Sequence, residues 1–215
     1  MSHISPTLSW VIIKVKMFHN IPRLVQECMA VLEAVDARDR LDGTPKARRL
    51  RQIPPETGKL LALLAAGAPP GVLLEIGTSG GYSSLWLSMA CRERGDRLVT
   101  FEEDAHKVAL ARQTFNQAGV EDVVQVVQGN ALDLLLNYPG VAFCFLDIEK
   151  DAYPACYQSV VSNLVPGGLL CADNVISHAS ELEQFLEEVH SDPRIDALVV
   201  PVGKGVLVCR RAGVA

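Results

Sequence analysis

The stretch Val72-Leu-Leu-Glu-Ile-Gly-Thr-Ser-Gly-Gly-Tyr-Ser-Ser84 decides the fold, because it joins an apolar run to a helical pattern through a glycine-rich turn. Val72–Ile76 reads as a buried strand, and residues 81–90 read as the helix that follows. Glycines in such a turn let the backbone approach a ligand closely, and the helix start points free N–H groups at it. The stretch therefore predicts a ligand site just beyond the first strand.

Two ligands suit a turn of this kind, a dinucleotide or S-adenosylmethionine. The dinucleotide fingerprint GxGxxG, started at Gly77, requires glycines where this sequence has Ser79 and Tyr82. Glu75, near the strand end, would repel a pyrophosphate, whereas it suits the positively charged amino group of a methionine. The turn therefore favours S-adenosylmethionine and disfavours a nicotinamide dehydrogenase.

The composition predicts one domain, because 215 residues with 49% hydrophobic content bury one substantial core. We expect residues 1–70 to form an N-terminal helical or lid segment and residues 71–215 the core. A net charge of −5 argues against nucleic-acid and anionic-membrane partners. Six cysteines without CxxC spacing, and an apolar arm at 10–18 too short to span a bilayer, predict a reduced, cytoplasmic protein.

From residue 72 onward, short apolar runs alternate with helical patterns, which predicts an α/β, Rossmann-like fold. We expect a seven-stranded, mostly parallel, doubly wound sheet with helices on both faces and an N-terminal helical extension. The predicted strands are 72–76, 97–101, 123–128, 141–146, 169–172, 197–200 and 205–209. The predicted helices are 20–36, 54–64, 81–90, 104–118, 129–136, 151–164 and 180–190. Ligands of such sheets bind beyond the carboxyl ends of the strands.

Polar residues follow most of the predicted strands. Glu102 ends the second strand, where a carboxylate accepts both hydrogen bonds of a ribose diol, although a solvated acid is the alternative. Asp104 is predicted to be the N-cap of the next helix. Asn130 and Ala131 follow the third strand and are further candidates for the cofactor.

Asp147 follows the fourth strand, and Asp173 and Asn174 follow the fifth. Their oxygen atoms suit a hard cation such as Mg²⁺, whereas the alternative is that the two acids only cap helices. Lys150 is a candidate general base beside such a site, or else a surface lysine at a helix start. Tyr153 is interpreted as helix packing.

The basic run 46–51 is either a solvated face or a contact for an anionic substrate. It contains Lys46, Arg48, Arg49 and Arg51.

Taken in order, five motifs resemble the metal-dependent, S-adenosylmethionine-dependent O-methyltransferases of the catechol and caffeoyl-CoA type. They are Glu75-Ile-Gly-Thr-Ser-Gly-Gly-Tyr-Ser83, Phe101-Glu102, Leu146-Asp-Ile-Glu-Lys-Asp-Ala-Tyr153, Leu164-Val-Pro-Gly-Gly168 and Ala172-Asp-Asn-Val175. The similarity runs from about residue 52 to residue 210. Ser79-Gly80 and Asn130 depart from the family pattern, and the first fifty residues match it poorly.

The resemblance implies roles for individual residues. Asp147, Asp173 and Asn174 would hold Mg²⁺, with Mn²⁺ or Ca²⁺ as alternatives, and Lys150 would be the general base. The acceptor would be a small vicinal diphenol, and the assembly a homodimer. The candidate cofactor-binding residues are Glu75, Gly77, Thr78, Ser79, Gly81, Ser83, Glu102, Asn130, Ala131 and Asp147.

Two alternatives to this function remain open. One is a metal-independent S-adenosylmethionine methyltransferase with another small-molecule acceptor. The other is a non-catalytic module that binds S-adenosylmethionine, although such a module would not require the combination of Asp147, Lys150 and Asp173.

Overall fold

One seven-stranded sheet forms the centre of the computed structural model, which describes residues 17–213. The strand order is β3-β2-β1-β4-β5-β7-β6, in which β1 to β5 are parallel and β7 runs antiparallel to both β5 and β6. The predicted fold class and final hairpin are confirmed. The strands are β1 Val72–Ile76, β2 Leu98–Glu102, β3 Val124–Gln128, β4 Val141–Leu146, β5 Leu164–Ala172, β6 Ile195–Val200 and β7 Val206–Arg211.

Helices cover both faces of this sheet because its central strands are apolar on both sides. Along β1, Leu73 packs in one hydrophobic cluster with α1 to α4, and Leu74 packs in the other with α6 and α7. The side chain of Asp104 accepts hydrogen bonds from two N–H groups at the start of α4, so its predicted capping role is confirmed. The helices are α1 Arg23–Asp39, α2 Pro55–Gly67, α3 Tyr82–Arg94, α4 Ala105–Ala118, α5 Ala131–Leu134, α6 Tyr153–Asn163 and α7 Glu183–Ser191.

Three 3-10 turns complete the elements described between residues 17 and 213. They are Lys46–Arg48, Leu135–Asn137 and Lys150–Ala152. The first of these turns lies in the predicted basic run. The helix before it, α1, extends three residues beyond its predicted end. The third separates Lys150 from α6, so the predicted helix 151–164 begins later than expected.

The fifth strand begins at Leu164, five residues before its predicted start. Leu164 pairs with Val141, but Phe143 pairs with Leu169, so residues 165–168 form an irregular insertion in the strand. Pro166 has no N–H to donate, and Gly167 has a φ of 79°, which suits glycine. The predicted helix 151–164 thus ends at Asn163, and the chain enters the sheet at the next residue.

The N-terminal arm is described only in part. Residues 10–16 of the predicted apolar arm lie outside the described residues, whereas Met17 and Phe18 pack against the hydrophobic core. Phe18 meets the Trp86 ring edge-on, with 6.1 Å between ring centroids. No helix within residues 17–213 has the length and apolar character needed to cross a bilayer.

Candidate active site

A cavity of about 680 Å³ lies beyond the carboxyl ends of the parallel strands, where the strand order predicts a ligand site. Its floor is the turn after β1, and its walls are the segments that follow β2, β3, β4 and β5. Residues 46 and 49–53 also line it, so part of the basic run faces the cavity. Cavities of this size accommodate cofactors and small substrates.

The turn after β1 has a conformation that requires glycine at Gly77. This residue has a φ of 104°, and a Cβ atom there would overlap the carbonyl oxygen of Asp147. Its N–H and that of Thr78 donate to the Phe101 carbonyl at 3.0 and 3.2 Å. Gly81, with a φ of 91°, is the N-cap of α3. Gly77 therefore allows the turn to pack directly against the segment that carries Asp147.

Glu75 lies beneath this turn rather than on the cavity wall. Its side chain is fully buried and accepts hydrogen bonds from Ser84 and, at 2.6 Å, from Thr100. One of its oxygens, Oε1, has no partner among the described residues. Burial raises the pKa of Glu75 from 4.5 to about 7. In this structure Glu75 braces the turn from below, and its contact with a methionine ammonium stays a prediction.

Glu102 lines the cavity at the end of β2 and holds the turn in place. Its Oε2 accepts from the Ser79 N–H at 2.8 Å, and its Oε1 accepts from the Asp104 N–H at 3.0 Å. Each carboxylate oxygen can accept a second hydrogen bond, so these contacts leave room for a ribose diol. Ser79 has a φ of 48° and donates through its hydroxyl to the Leu50 carbonyl at 2.9 Å.

Most of the remaining candidate cofactor-binding residues line the cavity, and one lies behind its wall. Thr78, Ser83, Asn130 and Ala131 line the cavity. Thr78 also shares a 2.6 Å hydrogen bond with Thr100, next to Glu75. The Asn130 side chain accepts from the Leu132 N–H at 2.9 Å and so caps α5, because its carbonyl oxygen serves as well as a carboxylate there. Gly81 lies outside the cavity lining, against Phe115.

The structure brings Asp147, Asp173 and Asn174 together between the ends of β4 and β5. Asn174 donates from Nδ2 to Asp147 Oδ1 at 2.8 Å, and it adopts a φ of 66° that asparagine tolerates well. Asp173 is fully buried, and neither of its carboxylate oxygens has a partner among the described residues. Burial, and then the charge of Asp147, raise the pKa of Asp173 to about 7.

Lys150 points into the same cluster, because the 3-10 turn after β4 reverses the chain. Its Nζ donates to the Ile148 carbonyl at 2.8 Å and to the Tyr153 hydroxyl at 2.7 Å, and lies 3.4 Å from Asp147 Oδ1. The lysine side chain is only 11% exposed, so the surface-lysine alternative does not describe it. Burial lowers the pKa of Lys150, while the Asp147 charge opposes that change.

The segment 49–53 crosses the rim of the cavity and contacts both sides of it. Ser79 holds the Leu50 carbonyl on the cofactor side. On the other side, Arg51 forms a 2.6 Å ion pair with Glu149, next to Lys150. Arg51 has a φ of 52°, an uncommon conformation for a residue with a side chain. The part of the basic run nearest the fold is therefore structured rather than simply solvated.

Two residues with contacts in the site received no functional role from the sequence. Tyr153 was interpreted as packing, yet its hydroxyl contacts Lys150. The position of Tyr153, three residues after Lys150, is the feature of the sequence from which this contact could have been predicted. His178 lines the cavity and exchanges a 3.0 Å hydrogen bond with the Ser177 hydroxyl. No spacing pattern distinguishes it from a solvated histidine.

Comparison with known proteins places this geometry in a family. The profile of the O-methyltransferase family matches residues 27–212. A catechol O-methyltransferase of Niastella koreensis is 35% identical over 137 residues, 61% of this chain and 62% of the relative. A caffeoyl-CoA O-methyltransferase of Stellaria longipes is 29% identical over 182 residues, 73% of this chain and 75% of the relative.

Among solved structures, the O-methyltransferase from Bacillus cereus in complex with SAH superposes with a TM-score of 0.72. It is 28% identical, and the alignment covers 86% of this chain and 90% of that one. The seven-stranded sheet with helices on both faces is thus that of the class I methyltransferases. The chain belongs to the O-methyltransferase family, and it is an S-adenosylmethionine-dependent O-methyltransferase. The predicted resemblance is confirmed at this level.

Proposed function

We propose that this protein transfers a methyl group from S-adenosylmethionine to one hydroxyl of a small vicinal diphenol, with the help of a divalent cation. The single observation that carries the proposal is the meeting of Lys150, Asp147 and Asn174 at one end of the cavity, with the buried carboxylate of Asp173 next to Asp147 behind the cavity wall. The names of the two curated relatives, a catechol and a caffeoyl-CoA O-methyltransferase, support an acceptor of the diphenol class.

The metal part of the proposal rests on the state of Asp173. A buried carboxylate with two unpartnered oxygens is costly, and a bound cation would supply the missing partner. Asp147 and Asn174 add a carboxylate and an amide, which suit a hard cation such as Mg²⁺, with Mn²⁺ or Ca²⁺ as alternatives. No cluster of three or more His, Cys, Asp or Glu residues suited to a metal occurs in the described part of the chain. The proposed set therefore contains only two acids, and water or acceptor oxygens would complete the shell.

The contacts of Lys150 and Asp147 suggest the role of each residue in the proposed reaction. When bound, the cofactor supplies the methyl group, and the cation lowers the pKa of the acceptor hydroxyl. Lys150 is the proposed general base, because its amine is buried at the cavity wall and its pKa is lowered by that burial. Asp147 borders both Lys150 and Asn174, so it fixes the end of the cavity at which the acceptor hydroxyl is placed.

The cofactor would occupy the part of the cavity above the glycine turn. Gly77, Thr78, Ser79 and Ser83 supply its floor, with Glu102 as the proposed acceptor of the ribose hydrogen bonds. Asn130 and Ala131 would face the adenine side. Glu75 and Gly81 are proposed to act through the shape of the turn, since neither lies on the cavity wall.

The decisive experiment measures methyl transfer from labelled S-adenosylmethionine to catechol, with Mg²⁺ and with EDTA. We expect turnover that EDTA abolishes and that added Mg²⁺ restores. Asp147→Ala is expected to be inactive, whereas Lys150→Met is expected to lose turnover while it binds S-adenosylmethionine with the wild-type Kd. Full turnover of Asp147→Ala would refute the metal mechanism. Turnover that resists EDTA would favour the metal-independent alternative.

We further propose that the protein is a cytoplasmic homodimer. The location is supported by its six free cysteines, five of which are buried in the core. The dimer is what the family resemblance implies, with the apolar arm 10–18 as the proposed contact; within this arm, Met17 and Phe18 pack on the core of the same chain. Light scattering of the whole chain, compared with a variant lacking residues 1–16, tests the dimer. A monomer at all concentrations would refute it.

A further inference from the structure

Tyr153 stands out among the buried residues because its hydroxyl is the closest partner of the proposed general base. The Lys150 Nζ donates to it at 2.7 Å, and this is the shortest of the three contacts of the amine. The tyrosine itself is fully buried, and its ring packs edge-on against Phe185 with 5.6 Å between centroids. Both ends of this hydrogen bond are thus shielded from water.

The direction of the hydrogen bonds gives the tyrosine one defined function. Its hydroxyl has a single hydrogen, and both acceptors in its reach are backbone carbonyls, that of Asp173 at 3.1 Å and that of Leu146 at 3.4 Å. Its oxygen can therefore only accept from Lys150. Because the nearer of these carbonyls belongs to the residue before Asn174, the tyrosine links the lysine to the end of β5.

The geometry of the amine then determines which side of it faces the reaction. A lysine ammonium has three hydrogens, which point in three different directions. Two of these directions are fixed by the Ile148 carbonyl and the Tyr153 hydroxyl, so the third faces Asp147, whose Oδ1 lies 3.4 Å away. Asp147 borders the cavity, so this is the side from which an acceptor hydroxyl arrives.

We propose that Tyr153 is a positioning residue, which fixes the Lys150 amine so that its third direction, beside Asp147, faces the cavity. The proposal rests on the proposed role of Lys150 in the reaction. Without the tyrosine hydroxyl, the long lysine side chain keeps one firm partner, the Ile148 carbonyl, and rotates about it. Misplacement of a reacting group by about 1 Å costs on the order of 100-fold in rate.

The chain offers a matched control one helical turn further on. Tyr157 is also fully buried, and its ring meets the same Phe185 edge-on at 5.7 Å. Its hydroxyl donates to Asp192 at 2.8 Å, outside the cavity. Tyr153→Phe and Tyr157→Phe each delete one buried hydroxyl and preserve the ring, so they differ in whether Lys150 loses a partner.

The first measurement does not depend on turnover. In a ¹H–¹⁵N spectrum of lysine amino groups at mildly acidic pH, we expect a sharp signal from Lys150, assigned by its loss in Lys150→Met. Immobilised, solvent-shielded amines give such signals, whereas freely rotating surface lysines do not. We expect the signal to broaden or vanish in Tyr153→Phe and to persist in Tyr157→Phe. A signal that persists unchanged in Tyr153→Phe would overturn the proposal.

The second measurement is steady-state methylation of catechol. We expect Tyr153→Phe to lower kcat by about 10- to 100-fold with little change in KM or in the Kd for S-adenosylmethionine. In the Lys150→Met background, the same substitution should leave the residual, lysine-independent turnover unchanged, because the residue that Tyr153 positions is gone. An equal loss in both backgrounds, or a wild-type kcat in Tyr153→Phe, would refute a positioning role. If the wild-type chain methylates no diphenol, the proposed function fails, and the spectrum alone decides the placement of Lys150.

Discussion

At the scale of single residues, the two most informative side chains are the buried carboxyl groups of Asp173 and Glu75, for which we expect different roles. Asp173 has no partner for either carboxylate oxygen among the described residues, whereas Glu75 has two hydroxyl partners and one free oxygen. Both have a pKa raised to about 7 by burial. A buried carboxyl group with an unpartnered oxygen indicates a functional role, because an apolar residue at the same position would cost less free energy.

For Asp173, the expected use is to bind the cation. We predict that Mg²⁺ raises the melting temperature of the wild-type chain and that Asp173→Asn loses most of this rise. At 100 times the Kd, a ligand adds about 2.7 kcal/mol to the free energy of unfolding. In EDTA, the variant should be at least as stable as the wild type, because it lacks the unpartnered carboxylate. Asp196→Asn, an exposed control on β6, should retain the full Mg²⁺ response.

For Glu75, the expected consequence is a pH-dependent stability. The folded-state pKa of Glu75 is about 7, above the ordinary 4.5, so the protonated form favours the folded chain. This contribution to the free energy of unfolding is fully present below pH 4.5 and is lost as the pH rises towards 7. The loss is at most about 3 kcal/mol. Urea denaturation without ligand should therefore show Glu75→Gln gaining stability relative to the wild type between about pH 5 and about pH 8. A constant difference between the two proteins would contradict the raised pKa.

At the scale of elements, the packing of α2 on α3 depends on one glycine. A Cβ atom at Gly58 would overlap the indole ring of Trp86, whereas nothing lies within 4 Å of a Cβ atom at Gly67 in the same helix. We predict that Gly58→Ala lowers the free energy of unfolding by about 1–3 kcal/mol through overpacking. Gly67→Ala should leave it unchanged or raise it by about 0.4–1 kcal/mol. Chemical denaturation of the pair tests this, and equal effects would show that the indole ring moves freely.

The sequence predicted the elements whose signal is local. The run Val72–Ile76 and the run Val141–Leu146 are strands with the predicted bounds, since a short apolar run between turns is itself the signal. The early start of β5 was missed because it depends on the pairing of Leu164 with Val141, and a distant partner leaves no mark on the local pattern.

The sequence predicted which residues belong to the candidate site, but not which of them contact one another. The topology of a parallel sheet placed Asp147, Asp173 and Asn174 at one edge, and they lie there. That Glu75 lies under the turn, and that Tyr153 contacts Lys150, depends on the pleat of one strand and on a 3-10 turn. Neither feature follows from spacing alone.

At the scale of the whole molecule, the segment 49–53 connects the N-terminal helix to both halves of the cavity. A ligand in the cavity would contact the turn and this segment together, so it should hold the segment in place. We predict that trypsin cleaves the chain early between Lys46 and Arg51, and that SAH slows this cleavage several-fold. NAD⁺ serves as the control ligand and should give no protection. A cleavage rate that SAH leaves unchanged would show that the segment moves independently of the cofactor site.

The position of β7 in the sheet has a consequence for biosynthesis. β7 is the last strand in sequence order, yet it lies between β5 and β6 rather than at the edge of the sheet. While the ribosome is still adding residues 206–211, the nascent chain already carries β5 with one side unpaired. That side belongs to the strand that leads into Asp173 and Asn174. Asp173 and Asn174 therefore gain their final support late in synthesis, and a chain released too early would expose an unpaired strand edge that can pair with another chain.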